Sequence, residues 1–329
     1  MSTQNLPDKS LSKIYKKISS VIPEVEWKFH APLIEKINKL KKEKDAVILA
    51  HNYQTPEIYH GVADISADSL ALALEAAKTE AKMIVLCGVH FMAETAKLMN
   101  PNKKVLIPDM QAGCSLAESI TGEDVRMLKE KYPGIPVVSY VNTSAEVKAE
   151  SDICCTSANA VKVVESLGSE KVIFLPDHYL ANYVQKKTKV KIISWQGTCM
   201  VHEKFTSKEV EDIRKENPDI KIIAHPECPP DVISASDFAG STSSMVNYVK
   251  ENQPKKVLLV TECTMSDNVQ VDNPNVQFIK PCNLCPHMNK ITLNKIYDCL
   301  KNGTNEIKIG HNIAEMARKS VLRMAEIGR

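Results

Sequence analysis

The sequence predicts an α/β fold built from three similar modules, each with a small parallel sheet. Cys114, Cys199 and Cys285 are 85 and 86 residues apart, and each closes a near-copy of the same strand-and-helix pattern. Because strands alternate with helical segments, parallel pairing through right-handed crossovers is favoured. The chain has 329 residues, of which 43% are hydrophobic, and this is enough for three modules that each have a core.

Each module begins with a polar-faced helix that leads into a short β-branched run. The helices are predicted at 32–42, 123–131 and 208–216, and the runs are AVILAHNY, PVVSYVN and IKIIAHPE. After a further helix, a second strand follows (KMIVLCG, EKVIFLPD or KKVLLVTE), and a third strand then carries the cysteine at its C-terminal end. We expect an N-terminal extension at 1–30 and modules at 31–115, 116–200 and 201–289, with residues 290–329 packing back on the first module.

A second set of repeated residues stands at the start of a helix in each module. Three aspartates, 88 and 85 residues apart, are each followed five residues later by a hydroxyl: Asp64 by Ser69, Asp152 by Ser157 and Asp237 by Thr242. A hydroxyl at a helix N-terminus can cap the helix, or it can help free N–H groups and the helix dipole to hold an anion. Capping explains any one of them, whereas three around a shared axis would form an anion pocket.

Composition excludes several classes of function. Charged residues make up 25% of the chain and nearly cancel to a net charge of +2, which gives no long-range field to attract nucleic acid or an anionic membrane. No apolar run reaches the roughly 18 to 20 residues of a membrane span. We expect no nucleic-acid partner, no membrane association and a cytoplasmic location, where ten cysteines would stay reduced. Three of them, Cys87, Cys263 and Cys299, lie in apolar runs typical of small buried side chains.

The three equally spaced cysteines predict a metal site. Three thiolates from three modules form an incomplete tetrahedral set, which leaves one metal position open for chemistry. Structural zinc favours close CxxC pairs, whereas these cysteines are far apart in sequence, so the spacing favours an iron–sulfur cluster with one iron not bound by cysteine. Zinc, or three buried structural cysteines, are the alternatives. Gly113, and Gly197 in the second module, stand just before a cysteine, where the backbone must approach something bulky.

From about Ile34 to about Leu293 the chain resembles the quinolinate synthase family. The matching segments are HNYQ at 51–54, FMAETAK at 91–97, PDMQAGCSLA at 108–117, YVNTSAEVKA at 140–149, CTSANA at 155–160, WQGTCMVHEKF at 195–205, HPEC at 225–228 and AGSTSSM at 239–245. The resemblance implies a triangle of three αβα domains, related by a pseudo-threefold axis, around a [4Fe-4S] cluster held by three cysteines. It also implies condensation of iminoaspartate with dihydroxyacetone phosphate to quinolinate, with loss of phosphate and water, in NAD biosynthesis.

Carried onto matching positions, the resemblance implies roles for individual residues. Cys114, Cys199 and Cys285 are the expected cluster ligands; Ser69, Ser157 and Thr242 are expected to hold carboxylate and phosphate; and His51, Tyr53, Tyr140, Asn142, His202, His225 and Glu227 are expected to form the wall of the substrate pocket. Glu227 is the expected general acid or base, with a pKa raised by a partly dry pocket. Tyr53, His202 and His51 complete the expected catalytic set. The open iron would act as a Lewis acid.

Two questions stay open at this point. The third module offers both Cys282 and Cys285, and we choose Cys285 because its spacing of 86 residues from Cys199 matches the first interval better than 83 does. The CxxC pair of Cys282 and Cys285 could also form a redox disulfide.

The other question is the reaction. Similar three-module cluster enzymes include reductive isoprenoid-forming enzymes and the radical enzyme that starts diphthamide synthesis. The HNYQ, YVNTSA and HPEC segments favour quinolinate synthase. A zinc-stabilised binding module without turnover is the remaining alternative. An aspartate oxidase or dehydrogenase that makes iminoaspartate is the expected functional partner.

Overall fold

A computed structural model describes residues 9–280 and 282–328 of the chain. The first part contains α1 (Lys9–Ile18), α2 (Glu24–Glu43), β1 (Ala46–His51), α3 (Pro56–Tyr59), β2 (Ile65–Ala67), α4 (Ser69–Lys78), β3 (Met83–Cys87), α5 (His90–Met99) and β4 (Lys104–Leu106). The predicted N-terminal extension therefore forms α1 and the start of α2, where Trp27 stacks on Tyr15 with ring centroids 5.3 Å apart. Its first eight residues lie outside the described part.

The middle of the chain repeats this alternation. It contains α6 (Ser115–Glu118), α7 (Gly122–Lys131), β5 (Val137–Tyr140), α8 (Ala145–Ala149), β6 (Ile153–Cys155), α9 (Ala160–Ser166), β7 (Lys171–Leu175), α10 (His178–Gln185) and β8 (Lys191–Ser194). The last part contains α11 (Ser207–Glu216), β9 (Ile220–Ala224), α12 (Pro230–Ala235), β10 (Phe238–Ala239), α13 (Thr242–Asn252), β11 (Lys256–Val260), α14 (Thr264–Asp272), β12 (Gln277–Ile279), α15 (Leu293–Asn302) and α16 (His311–Ile327).

The strands form three parallel four-stranded sheets with one strand order. The orders are β2-β1-β3-β4, β6-β5-β7-β8 and β10-β9-β11-β12, and every pairing within them is parallel. Helices flank each sheet, so the predicted α/β fold of three αβα units is confirmed. The central strands β1, β5 and β9 are almost entirely buried, because β-branched residues fill them.

The three repeated aspartates have a structural role. In each module the aspartate carboxylate accepts a hydrogen bond from a backbone N–H of the central strand: Asp64 from Ile48 at 2.8 Å, Asp152 from Val137 at 2.7 Å and Asp237 from Ile222 at 2.8 Å. The backbone N–H of each aspartate donates to the carbonyl of the same strand residue, at 2.8, 3.0 and 2.8 Å. The recurrence of this pair of bonds shows that the modules align as the sequence spacing predicts.

The C-terminal segment divides between two modules. Helix α15 packs on α2 and β3 of the first module, whereas α16 packs mainly on α8 and β6 of the second. The Ser320 hydroxyl donates to the Lys148 carbonyl at 2.8 Å, and Val321 is fully buried beside it. Helix α16 also contacts α5 of the first module, and the expected packing of 290–329 on that module stays a prediction. The boundaries at 115, 200 and 289 stay predictions.

None of the described helices is long and apolar enough to cross a membrane.

Candidate functional site

The carboxyl ends of the three sheets meet at one cavity. Every residue that the sequence places at a site lines this cavity: His51, Tyr53, Ser69, Cys114, Tyr140, Asn142, Ser157, Cys199, His202, His225, Glu227, Thr242 and Cys285. The central strands explain the convergence, because β1 ends at His51, β5 ends at Tyr140 and His225 directly follows β9.

His51 and His225 occupy equivalent places and have the same hydrogen bonding. The Nδ1 atom of each accepts the backbone N–H two residues further on, from Tyr53 at 3.2 Å and from Glu227 at 3.3 Å. Burial lowers the pKa of His51 to about 4 and that of His225 to about 3. Both rings are therefore neutral near pH 7 and carry their proton on Nε2, which for His225 is 3.3 Å from the Ser157 hydroxyl.

Glu227 is bound by two other side chains of the cavity wall. Its Oε1 accepts the Tyr140 hydroxyl at 2.5 Å, and its Oε2 lies 2.9 Å from Nδ1 of His202. Burial alone would raise its pKa, but the hydrogen bonds from His202 and Tyr140 lower the pKa below its ordinary value. The expectation of a raised pKa is therefore wrong: at neutral pH Glu227 is ionised and accepts protons.

A chain of hydrogen bonds extends from Glu227 to Tyr53. His202 contacts Glu227 through Nδ1, and its Nε2 lies 2.9 Å from the Thr261 hydroxyl. The Thr261 hydroxyl is in turn 2.6 Å from the Tyr53 hydroxyl. Burial raises the pKa of Tyr53 well above its usual value, so the phenol keeps its proton. Thr261 was not predicted from the sequence, because it directly follows β11 in an apolar run without a motif.

The three hydroxyls are not the helix caps. Asp68, not Ser69, caps α4 by accepting the Ala71 N–H at 2.9 Å, and Ser241, not Thr242, caps α13. Ser157 lies three residues before α9. The Thr242 hydroxyl is 2.9 Å from the Asn52 side-chain nitrogen, which donates to it. Because neighbouring residues serve as caps, the hydroxyls at the cavity wall remain available to a ligand.

Each of the three cysteines has its sulfur in the same local environment. All three are free thiols. Backbone N–H groups two and three residues further on act on the thiol pKa of each: those of Leu116 and Ala117 on Cys114, of Val201 and His202 on Cys199, and of His287 and Met288 on Cys285. These N–H groups favour the thiolate, but burial raises the pKa of all three thiols, that of Cys114 to about 12. A bound cation would offset the effect of burial and lower the pKa of these thiols.

The donor set fits a thiolate-bound metal group larger than one ion. Within residues 9–280 and 282–328, the one group of three side chains close enough to share a single ion is Cys199, His202 and Glu227, with donor atoms within 4.8 Å of one another. Cys114 and Cys285 face the same cavity outside that group. Nδ1 of His287 and Oδ1 of Asn142 are buried at the wall and lack a hydrogen-bond partner. A side chain at Gly113 would meet Glu118 and approach His287, which explains the glycine beside Cys114.

Other wall residues were not predicted from the sequence. They include Asp68, Glu262, His287 and Met288. Burial raises the pKa of Glu262 to about 7. A sequence signal for Glu262 existed, because KVIFLPD and KKVLLVTE both place an acid just after a strand, whereas nothing in the sequence singled out His287.

Cys282 is bonded to Cys263, and Cys285 is free. The hypothesis of a Cys282–Cys285 disulfide is therefore wrong for this structure. Cys263, expected from the sequence to be a small buried side chain, is the disulfide partner of Cys282. Cys282 also lies outside the cavity wall, which Cys285 lines.

We expect the Cys263–Cys282 bond, which joins residues 19 apart in sequence, to stabilise the oxidised protein. Chain-entropy arguments give about 3 kcal/mol for a loop of this size. Urea unfolding of the wild type should show this difference between oxidising and reducing buffers, and Cys282→Ser should abolish it. Cys228→Ser is the matched control, because Cys228 is a free buried thiol and its loss should leave the difference intact. An oxidation effect that persists in Cys282→Ser would contradict the assignment.

The neutral histidines make the native state sensitive to acid. A histidine whose pKa is lowered in the folded state contributes stability that is present above the ordinary value of 6.5 and is lost as pH falls toward the folded value. We expect the free energy of unfolding of the metal-free protein to fall between pH 7 and pH 5 by about 2 kcal/mol for each of His51 and His225.

Urea titrations at these two pH values measure the effect. His225→Asn should reduce the pH dependence, and replacement of the exposed His311 should not. Equal pH dependence in wild type and His225→Asn would show that His225 is not neutral in the native state.

Comparison with known proteins gives one consistent result. Residues 35–326 match the model of the family described as NadA, quinolinate synthetase A protein. The chain is 60% identical over 314 residues to the quinolinate synthase of Sinorhizobium fredii, covering 95% of this chain and 88% of that protein. It is 57% identical to quinolinate synthase 1 of Mesorhizobium japonicum (96% and 97% covered) and 61% identical to the quinolinate synthase of Xylella fastidiosa (89% and 87% covered).

Proposed function

Since this chain belongs to the quinolinate synthetase A family, we propose that its central cavity condenses iminoaspartate with dihydroxyacetone phosphate. The protein is an enzyme of NAD biosynthesis, a quinolinate synthase. The observation that carries the proposal is the convergence, in one cavity, of three free cysteines with the Glu227, Tyr140 and His202 cluster. One module alone could not supply this set.

Anionic groups of the substrates would bind at the hydroxyls and neutral histidines. Both substrates are anions, with two carboxylates on one and a phosphate on the other. Ser69 and Thr242 begin helices α4 and α13, whose N-terminal N–H groups and dipoles favour negative charge. The Nε2–H groups of His51 and His225 donate hydrogen bonds without bringing a positive charge. Asn142, whose buried Oδ1 has no partner, would accept a donor from the substrate.

Proton transfers would centre on Glu227. Its ionised carboxylate can accept a proton from carbon or nitrogen of the substrate, and the Tyr140 hydroxyl holds it in place at 2.5 Å. Tyr53, which keeps its proton, can donate one to a leaving hydroxyl. Thr261 and His202 connect the two residues and could return the proton. The mostly buried wall excludes water from the imine, which water would hydrolyse.

Cys114, Cys199 and Cys285 would hold a [4Fe-4S] cluster. The support is the set of three soft donors, free thiols from three modules that line one cavity. When bound, the cluster would supply one iron without a cysteine ligand, a Lewis acid that eases loss of a substrate hydroxyl as water.

The same proposal includes the source of the substrate and its compartment. Iminoaspartate is a labile imine, so an oxidase or dehydrogenase acting on L-aspartate must supply it. Thiols that bind a cluster must stay reduced, which favours the cytoplasm.

An anaerobic assay tests the proposal. Iminoaspartate is generated in place, dihydroxyacetone phosphate is added, and quinolinate and phosphate are measured together. The proposal predicts that both products form in equal amounts. Failure to form quinolinate with the metal centre intact would overturn it.

A further inference from the structure

The loops that carry the cysteines are bound to the core in a repeated way. In each module, the residue three positions after the third strand (β3, β7 or β11) donates its backbone N–H to the carbonyl two residues before the cysteine. The pairs are His90 with Ala112 at 2.7 Å, His178 with Gly197 at 2.8 Å and Cys263 with Asn283 at 3.3 Å. These three bonds attach equivalent points of the three cysteine loops to the residues that follow β3, β7 and β11.

In two modules a buried carboxylate adds a second attachment. Asp177 and Glu262 are each two residues beyond the end of their strand, β7 or β11. Oδ2 of Asp177 accepts the backbone N–H of Cys199 at 3.2 Å, and Oε1 of Glu262 accepts that of Cys285 at 3.4 Å. Both acidic residues are fully buried. The equivalent position in the first module is Val89, which follows β3 and has no side-chain acceptor.

We propose that Asp177 and Glu262 are equivalent positioning residues, each of which holds the backbone of one metal-binding cysteine. A buried backbone N–H that loses its acceptor is left unpaired, which is costly. Each carboxylate also binds the first turn of the next helix, through the N–H of Leu180 at 2.7 Å or of Thr264 at 2.9 Å. A single side chain thus joins a helix start to a ligand loop. The inference rests on the three-cysteine centre proposed above.

Iron retention tests the proposal in the intact protein. Asp177→Ala and Glu262→Ala should lose iron to a chelator about 10-fold faster or more, the scale on which outer partners of metal ligands act. Thr121→Ala is the control for loss of a helix cap, because Thr121 caps α7 and has no bond to a cysteine. Val89→Ala is the control for a change at the equivalent position of the first module, where no side-chain acceptor is present. Iron loss from Asp177→Ala and Glu262→Ala that is no faster than from these controls would overturn the proposal.

Amide hydrogen exchange of the metal-free protein gives a readout independent of the cluster. Asp177→Ala should accelerate exchange at Cys199, Glu262→Ala should accelerate it at Cys285, and neither should alter Cys114. If an alanine variant does not fold, Asp177→Asn and Glu262→Gln replace it, since each keeps only one of the two acceptor oxygens that the acid uses. Amide protection and iron retention in these variants should lie between those of the wild type and those of the alanine variants. Values equal to those of the wild type would overturn the proposal.

Measurements on the wild type distinguish failure of the three-cysteine centre from failure of the positioning roles of Asp177 and Glu262. A wild type that binds no iron would refute the three-cysteine centre, while the exchange measurements would still test the attachments.

Discussion

Replacing Glu227 by Gln is expected to lower the rate of quinolinate formation by about 10²- to 10⁴-fold, the range that one general acid or base supplies. Glutamine keeps the shape and can still bind Tyr140 and His202, but it cannot take up a proton. Because Glu227 is ionised in the free protein, the variant loses the group that accepts the first proton. Steady-state anaerobic kinetics, with iron content measured on the same sample, check this prediction.

The control for Glu227→Gln is Glu216→Gln, at the exposed end of α11. It makes the same chemical change away from the cavity and should leave the rate unchanged. Glu227→Gln should also retain its iron, since the expected ligands are the cysteines. A variant with normal iron and near-normal turnover would remove Glu227 from the proton transfers. One that loses iron together with activity would instead indicate that Glu227 binds metal with Cys199 and His202.

Cys285→Ser is expected to abolish both the metal centre and turnover. A hydroxyl is a poor ligand for a soft metal site, and two cysteines cannot hold the cluster. The loss of activity should exceed the 10- to 100-fold that loss of an outer partner can cause. Visible absorption and iron content after anaerobic purification measure the centre directly.

Cys282→Ser is the matched control for Cys285→Ser, since it removes a sulfur three residues away that is bonded to Cys263. In reducing buffer it should keep its iron and its activity. The reverse outcome, with iron lost from Cys282→Ser and kept in Cys285→Ser, would show that the choice between the two cysteines is wrong.

Sequence spacing was sufficient to predict the architecture and the meeting of the ends of the central strands. Equal intervals between cysteines and between aspartates imply equal modules, and parallel sheets place the ends of strands at one edge. His51, Tyr140 and His225 could therefore be expected to meet although they are far apart in the chain. This argument needs only topology, which a repeated pattern specifies well.

The protonation of the site could not be predicted in the same way. The state of Glu227 depends on Tyr140 from another module and on His202, whose ring orientation follows from packing. Thr261 has no motif, and its role in linking Tyr53 to His202 depends on distances of 2.6 and 2.9 Å. The partner of Cys282 also depends on tertiary contact, since Cys282 is bonded to Cys263, 19 residues away in sequence, and not to the nearby Cys285.

Metal and sulfide analysis of the wild type, purified without oxygen, tests most directly whether three cysteines from three modules hold one iron–sulfur centre. The account predicts about four iron and four sulfide per chain, with broad absorption near 400 nm as is usual for thiolate-bound clusters. One zinc per chain without sulfide, bound at Cys199, His202 and Glu227, would contradict it.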